Sequence, residues 1–269
     1  MEAGLFDSSI GLIIQARMSS KRLPGKVLMP LPFASEATLL GKIVEALKTT
    51  GGTVIVATSI NKENDLIEQF CNSKGVKCFR GSEDDVFSRF YEIQLNESFS
   101  TIFRFTADNP FIDLRKLYQF YNTFISSGVD YAYSKGMPLG MNFEAIKGDL
   151  FVKLNKFELN SEEREHVTLV VQRLDNINKM FIQLANSADL RMTVETPIDY
   201  VQASLLMSSL GDNCRLENIL ELKDFYPYIF DLNSGVVQTN TSNDIDTQKA
   251  IIRKLCIENG FNKVVELLK

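Results

Sequence analysis

The sequence predicts an α/β fold in which a mainly parallel sheet carries helices on both faces. Three observations lead there. Short apolar bursts recur at 11 to 15, 53 to 57, 76 to 79 and 101 to 105, each the length of a buried strand. Segments with helical apolar spacing lie between them, and the resulting β-α-β alternation calls for a parallel sheet joined by right-handed crossovers, a Rossmann-like layout. The first burst runs straight into a loop of cations, at the strand end where such sheets collect ligands.

That loop follows the strand Gly11 to Ile14. It holds Arg17, Lys21, Arg22 and Lys26 within ten residues, and its Ser19, Ser20, Pro24 and Gly25 keep it from being helical. A polyphosphate is the ligand such a loop suits; a solvated basic turn is the alternative. Leu39, Leu40, Ile43, Val44 and Leu47 then mark a helix, and the second strand closes at Ala57 and Thr58. Leu66, Ile67 and Phe70 mark the next helix. The strand after it ends at Phe79, followed by Arg80, Gly81 and Ser82, and the run Glu83-Asp84-Asp85 supplies negative charge for the N-terminus of a further helix.

Arg104 alternates with apolar neighbours in the fourth strand, and Asp108 follows immediately, poised over the same edge. It is the first choice for a divalent ion; a turn or cap role before Pro110 is the alternative. Asp113 predicts the N-cap of a helix running to about Ser127 with Leu117, Phe120, Tyr121 and Phe124 inward, and Val129 to Tyr133 reads as strand. Asn160, with Glu163 three residues on, predicts a capped helix continuing through Val167, Val170, Val171 and Leu174. Pro197 fits the first turn of a helix reaching Leu210. Beyond 211 the signals weaken: 213 to 229 alternates short apolar and charged pieces, 233 to 246 is rich in Asn, Ser and Thr, and 248 to 269 reads as one or two closing helices. Two units are therefore expected, a main domain over 1–210 and an extension over 211–269, helical and packed on it.

Composition narrows the class. A chain of 269 residues, 45% hydrophobic, can bury a full core. No apolar run approaches the roughly 20 residues that span a bilayer, and Met1 to Ser9 carries two acids and no basic stretch, so a cytoplasmic protein with no membrane partner is expected. Cys71, Cys78, Cys214 and Cys256 lack C-x-x-C spacing, which predicts reduced thiols. A net charge of -5 argues against nucleic-acid binding.

The stretch Ala16-Arg17 through Ser20-Lys21-Arg22-Leu23-Pro24-Gly25-Lys26 resembles the opening signature of the sugar cytidylyltransferases. Val56-Ala57-Thr58, Phe79-Arg80-Gly81-Ser82-Glu83-Asp84-Asp85-Val86, Arg104 to Pro110, Ser161 to Thr168 and Leu190 to Pro197 continue the match in order, over about residues 10 to 205. In order and spacing these motifs resemble the spore-coat-polysaccharide branch, related to the CMP-Kdo and CMP-sialic acid synthetases. The resemblance implies a glycosyltransferase-A-like nucleotidyltransferase that uses CTP and a sugar, expected to be acidic or otherwise modified, with magnesium or manganese, for a surface polysaccharide or glycan; a homodimer is compatible with it. Arg17, Arg22 and Lys26 would clamp the phosphates beside Ala16, with backbone N–H groups near Ser19 and Gly25. Asp108, Glu195 and Asp199 would hold the metal. Ala57, Thr58, Arg80 and Ser82 would flank the base, and Arg104, Glu144, Arg164 and His166 the sugar.

Departures from the pattern fall on the sugar half. Glu195 stands where relatives carry aspartate, Asn109 where they commonly carry cysteine, and Pro138-Leu139-Gly140-Met141-Asn142-Phe143-Glu144 lacks two of the usual carboxylates. A glycosyltransferase of similar fold is one rival, although Ala107-Asp108-Asn109 is not the Asp-x-Asp such an enzyme would show. A non-catalytic nucleotide-binding homologue is the other.

Overall fold

The computed structural model describes residues 6–187 and 189–236. Its strands are β1 (Ile10–Gln15), β2 (Thr53–Ser59), β3 (Lys77–Gly81), β4 (Thr101–Thr106), β5 (Tyr131–Lys135), β6 (Glu144–Lys147) and β7 (Lys179–Gln183), in one sheet of order β3-β2-β1-β4-β6-β5-β7. All pairings are parallel except those of β6, which runs antiparallel to both β4 and β5. The order steps outward from β1 to β3 and returns across β1 to β4. A crevice therefore opens at the carboxyl ends of β1 and β4, where their crossover loops diverge.

Period-two alternation decides which helices cover which face. Leu12, Ile14, Val54 and Val56 share a core with α1 (Leu39–Lys48), α2 (Asp65–Lys74), α4 (Leu114–Ser127) and α8 (Pro197–Leu210). Ile13, Ile55 and Ala57 point the other way, into a core with α3 (Val86–Glu97), α5 (Gly148–Leu154) and α7 (Leu169–Arg173), and α6 (Ser161–His166) packs on α3. Ile13 and Ile14 are both fully buried, which is why β1 is an unbroken apolar run. The last described helices, α9 (Leu216–Phe225) and α10 (Pro227–Asp231), place Leu216, Ile219, Ile229 and Phe230 in the same core as α8. Among the described residues no helix is long and apolar enough to cross a membrane.

The expected caps are present. Asp113 accepts from the N–H groups of Arg115 and Lys116, and its second oxygen accepts from Leu216 N at 2.8 Å, tying α9 to α4. Asn160 and Glu163 form a capping box, as do Thr196 and Asp199 with Pro197 opening α8.

One expectation is corrected. The helix expected from Asn160 to Leu174 breaks into α6 and α7 because Val167 adopts φ 55°, a conformation that a β-branched residue resists. Complete burial of Val167 and a bond from the Thr168 hydroxyl to Glu144 hold the break. Of the run Glu83-Asp84-Asp85, Asp85 caps α3 by accepting from Ser88 N at 2.8 Å, and Glu83 turns instead to Ser19 and Asn61. The closing helices over 248–269, Cys256 and residues 237–246 lie outside the described residues.

Candidate active site

The loop after β1 turns at Gly25, whose φ of 71° is unstrained only for glycine, and enters a single 3-10 turn, Lys26–Leu28. Val27 packs into the core, which aims Lys26 inward across the crevice. Its ammonium donates to Asp108 Oδ2 at 3.0 Å and to the Val194 carbonyl at 2.8 Å. Lysine has three such protons, so one remains for a ligand. Val194 N in turn donates to the Asp108 carbonyl at 2.8 Å, stitching the 190s segment beside the end of β4. Gly140 permits this docking: its φ is +94°, and a Cβ there would lie 2.6 Å from Thr193 N.

Glu195 follows Val194 and joins the cluster. Its Oε2 lies 3.1 Å from Arg22 and 2.6 Å from Arg191. Two cations of the loop and two carboxylates thus meet at the ends of β1 and β4. Burial by itself would push the Asp108 carboxyl up, but the Lys26 charge and hydrogen bonds from Thr106 and Lys26 outweigh it and hold the group below the usual carboxylate range. A hard divalent ion beside a phosphate substrate takes one or two protein carboxylates and fills its shell with phosphate and water. Asp108 and Glu195 fit that donor set, and no group of three or more His, Cys, Asp or Glu suited to a metal occurs among the described residues.

A second polar cluster lies over β2 and β3. Glu83 accepts from Ser19 Oγ at 2.9 Å and from Asn61 Nδ2 at 3.3 Å, and Arg17 stands 3.7 Å from it. Arg17 is half exposed and equally distant from Glu165, so neither pair holds it strongly. Burial would raise the Glu83 carboxyl; the Ser59 and Ser19 hydroxyls and the Arg17 charge hold it low instead. Both lowered carboxyls stabilise the fold above the ordinary carboxylate range of about pH 4, and that contribution is lost as pH falls through their folded values. A melting series should show a flat Tm above about pH 5 and a fall below about pH 4 that Asp108→Asn makes shallower.

On the other side of β4 a cavity of about 270 Å³ is lined by Arg104, Thr106, Asn109, Tyr133, Asn142 and Glu144 among others. Arg104 pairs with Glu144 at 3.3 Å and donates to Gln15 Oε1 at 3.0 Å; Tyr131 and Thr168 hydroxyls also donate to Glu144. Asn109 donates to Thr106 Oγ1, leaving its own Oδ1 buried without a partner.

Several residues singled out in the sequence stand elsewhere than expected. Asp199, expected at the metal, does not open on the crevice: its side chain is fully buried, and it accepts from Arg191, Asn233, Thr196 and Glu195 N. The Gly25 N–H donates to the Met18 carbonyl and is not turned toward a phosphate. Arg80, expected beside the base, pairs with Asp65 and Glu68 and donates to the Ser59 carbonyl, so its charge is engaged within the protein. Arg164 bonds Asp85 at the start of α3, away from the cavity, and His166 is exposed. The Thr58 hydroxyl is buried without a partner, Ser82 is exposed and accepts from Asp85 N, and Ala16 N pairs with the Ala57 carbonyl. Arg191 and Glu83 had no site role in the sequence reading. The one available signal for Arg191 was its spacing, four residues before Glu195 and eight before Asp199.

Comparison with known proteins bears directly on this geometry. A family described as "Cytidylyltransferase" matches residues 12–234, a span that takes in the cation loop, Asp108 and the 190s segment. The chain belongs to the cytidylyltransferase family. It is 32% identical over 216 residues to the spore coat polysaccharide biosynthesis protein SpsF of Bacillus subtilis, covering 76% of this cytidylyltransferase and 89% of that protein. A solved cytidylyltransferase from Leptospira borgpetersenii superposes with a TM-score of 0.77 at 26% identity, covering 88% of this chain and all of that one. A CMP:2-keto-3-deoxy-manno-octonic acid synthetase solved with CTP shares the fold at a TM-score of 0.57 and 18% identity, over 75% of this chain and 99% of that one. The family is one of nucleotidyltransferases, and this cytidylyltransferase shares the α/β fold of both solved structures.

Proposed function

We propose that the chain transfers CMP from CTP to a sugar hydroxyl with release of pyrophosphate, in the synthesis of a surface polysaccharide or glycan. The observation that carries the reading is Lys26 at 3.0 Å from Asp108, with Arg22 at 3.1 Å from Glu195, at the crevice between β1 and β4. The sugar oxygen forms a bond to the α-phosphorus, the bond from that phosphorus to the pyrophosphate oxygen breaks, and the hydroxyl proton leaves to solvent. Charge grows on the departing oxygens. Arg22 and Lys26, already fixed by carboxylates and the Val194 carbonyl, meet that charge without reorganising. Arg17, weakly held, swings to the outer phosphates. A magnesium or manganese ion held by Asp108 and Glu195 would offset further phosphate charge. The cavity beside β4 takes the sugar, with Asn109 Oδ1 as an acceptor in want of a hydroxyl. The likeness to SpsF supports the polysaccharide setting.

Pyrophosphate release from CTP over a panel of ulosonic and neutral sugars tests the reading; CTP binding with no turnover across the panel would favour a non-catalytic role. Lys26→Ala and Arg22→Ala should each weaken CTP binding by about 10- to 100-fold in calorimetry, the loss of one charge-assisted contact. Unchanged affinity would remove the phosphate assignment. A homodimer belongs to the same proposal, and light scattering on the purified chain decides it.

A further inference from the structure

Glu83 itself has no part in the chemistry above, yet it sits at the remaining end of the nucleotide's path. The phosphates lie at the ends of β1 and β4, midway along the sheet. Toward β6 and β5 lies the cavity given to the sugar. The nucleoside is left the opposite direction, over β2 and β3, where three loops converge on a single carboxylate. Ser19 comes from the loop after β1, Asn61 from the loop after β2, and Glu83 itself from the loop after β3. The Glu83 side chain is one-fifth exposed, and Arg17, its charged partner, is too loosely held to keep it covered.

We propose that Glu83 reads the nucleotide base, accepting a hydrogen bond from the exocyclic amine of cytosine. The inference rests on the proposed use of a nucleoside triphosphate. An ionised carboxylate can only accept. Cytosine offers an amine donor at this position of its ring, and carboxylates accept from that amine in nucleic-acid recognition. Uracil offers a carbonyl oxygen there, and two acceptors facing each other repel. Ser19 and Asn61 fix the direction of the carboxylate, and the hydrogen bonds that hold its pKa low keep it ionised at neutral pH. When Arg17 moves to the phosphates it uncovers Glu83, so phosphate capture and base inspection are joined.

Glu83→Gln separates this role from a structural one, because the amide has the same shape but can turn its NH₂ toward a carbonyl. Calorimetry on the full chain with magnesium, using CTP, UTP and inorganic tripolyphosphate, supplies the readout. The wild-type chain should prefer CTP to UTP. The variant should lose about 10-fold of that preference, through weaker CTP and firmer UTP binding, with tripolyphosphate affinity unchanged and Tm lowered by no more than a few degrees. An unchanged CTP-to-UTP ratio, or equal weakening of all three ligands, would overturn the role of Glu83 and leave the transferase reading standing. A wild-type chain that binds no nucleoside triphosphate would overturn both.

Discussion

Replacing Asp108 by asparagine should reduce pyrophosphate release on the order of 10²- to 10³-fold at saturating CTP, the scale seen when one preorganised electrostatic contact to a reacting group is removed. Asparagine matches the shape of aspartate, and its carbonyl can still accept from Lys26, which lies 3.0 Å away in the native chain. The Val194 N–H bonds the Asp108 main-chain carbonyl and is untouched by the exchange. The melting temperature at pH 7 should therefore fall by only a few degrees while turnover collapses. A pyrophosphate assay in magnesium beside a thermal melt checks both halves. Retained turnover would show that Asp108 is a turn residue before Pro110.

Asp199→Ala should do the opposite, damaging the fold ahead of the chemistry. The carboxylate is sealed from solvent and receives Arg191 through two nitrogens, at 2.8 and 3.1 Å, together with Asn233 at 2.9 Å and the Thr196 N–H at 2.9 Å. Alanine leaves a buried guanidinium short of its main partner and removes the capping box of α8. Breaking a buried pair on one side costs about 3–5 kcal/mol. For a chain of this size that lowers Tm by roughly 6 to 20 °C. Differential scanning fluorimetry measures it, and a drop below about 2 °C would mean the pair is not strained by losing one member. Arg191→Leu combined with Asp199→Leu should recover part of the loss, since no charge is then stranded.

The sheet was legible because its first four strands are local facts. Gly11 to Ile14 and Val54 to Ala57 are apolar runs long enough to be strands and too short to be helices, and each ends in polar residues at the ligand edge. β6 was not legible: four residues, Glu144 to Lys147, carry no alternation that would distinguish them from loop, and their antiparallel pairing depends on β4 and β5 being already in place. The break at Val167 is a tertiary decision too, since an isolated valine gives no hint that it will be forced to positive φ.

The site divides the same way. The cations of the loop and Asp108 announce themselves by position after a strand, whereas the fate of each carboxylate depends on which cation reaches it. Glu195 and Asp199 look equivalent along the chain, but one opens on the crevice and the other is closed in by Arg191, Thr196 and Asn233. Glu83 sits in an acidic run whose simplest reading is helix electrostatics. Only the convergence of Ser19 and Asn61 on it sets it apart from Asp84 and Asp85.

The bonds around Arg191 also link places that no ligand spans. Asn233, just past α10, donates to Asp199; Asp199 grips Arg191; Arg191 shares Glu195 with Arg22. A side chain near the last described residues is thus four handshakes from Arg22, the proposed phosphate clamp. Anyone trimming the C-terminus to ease expression or crystal growth should keep residue 233, because shortening the protein past it would loosen, from afar, the hand proposed to hold the nucleotide.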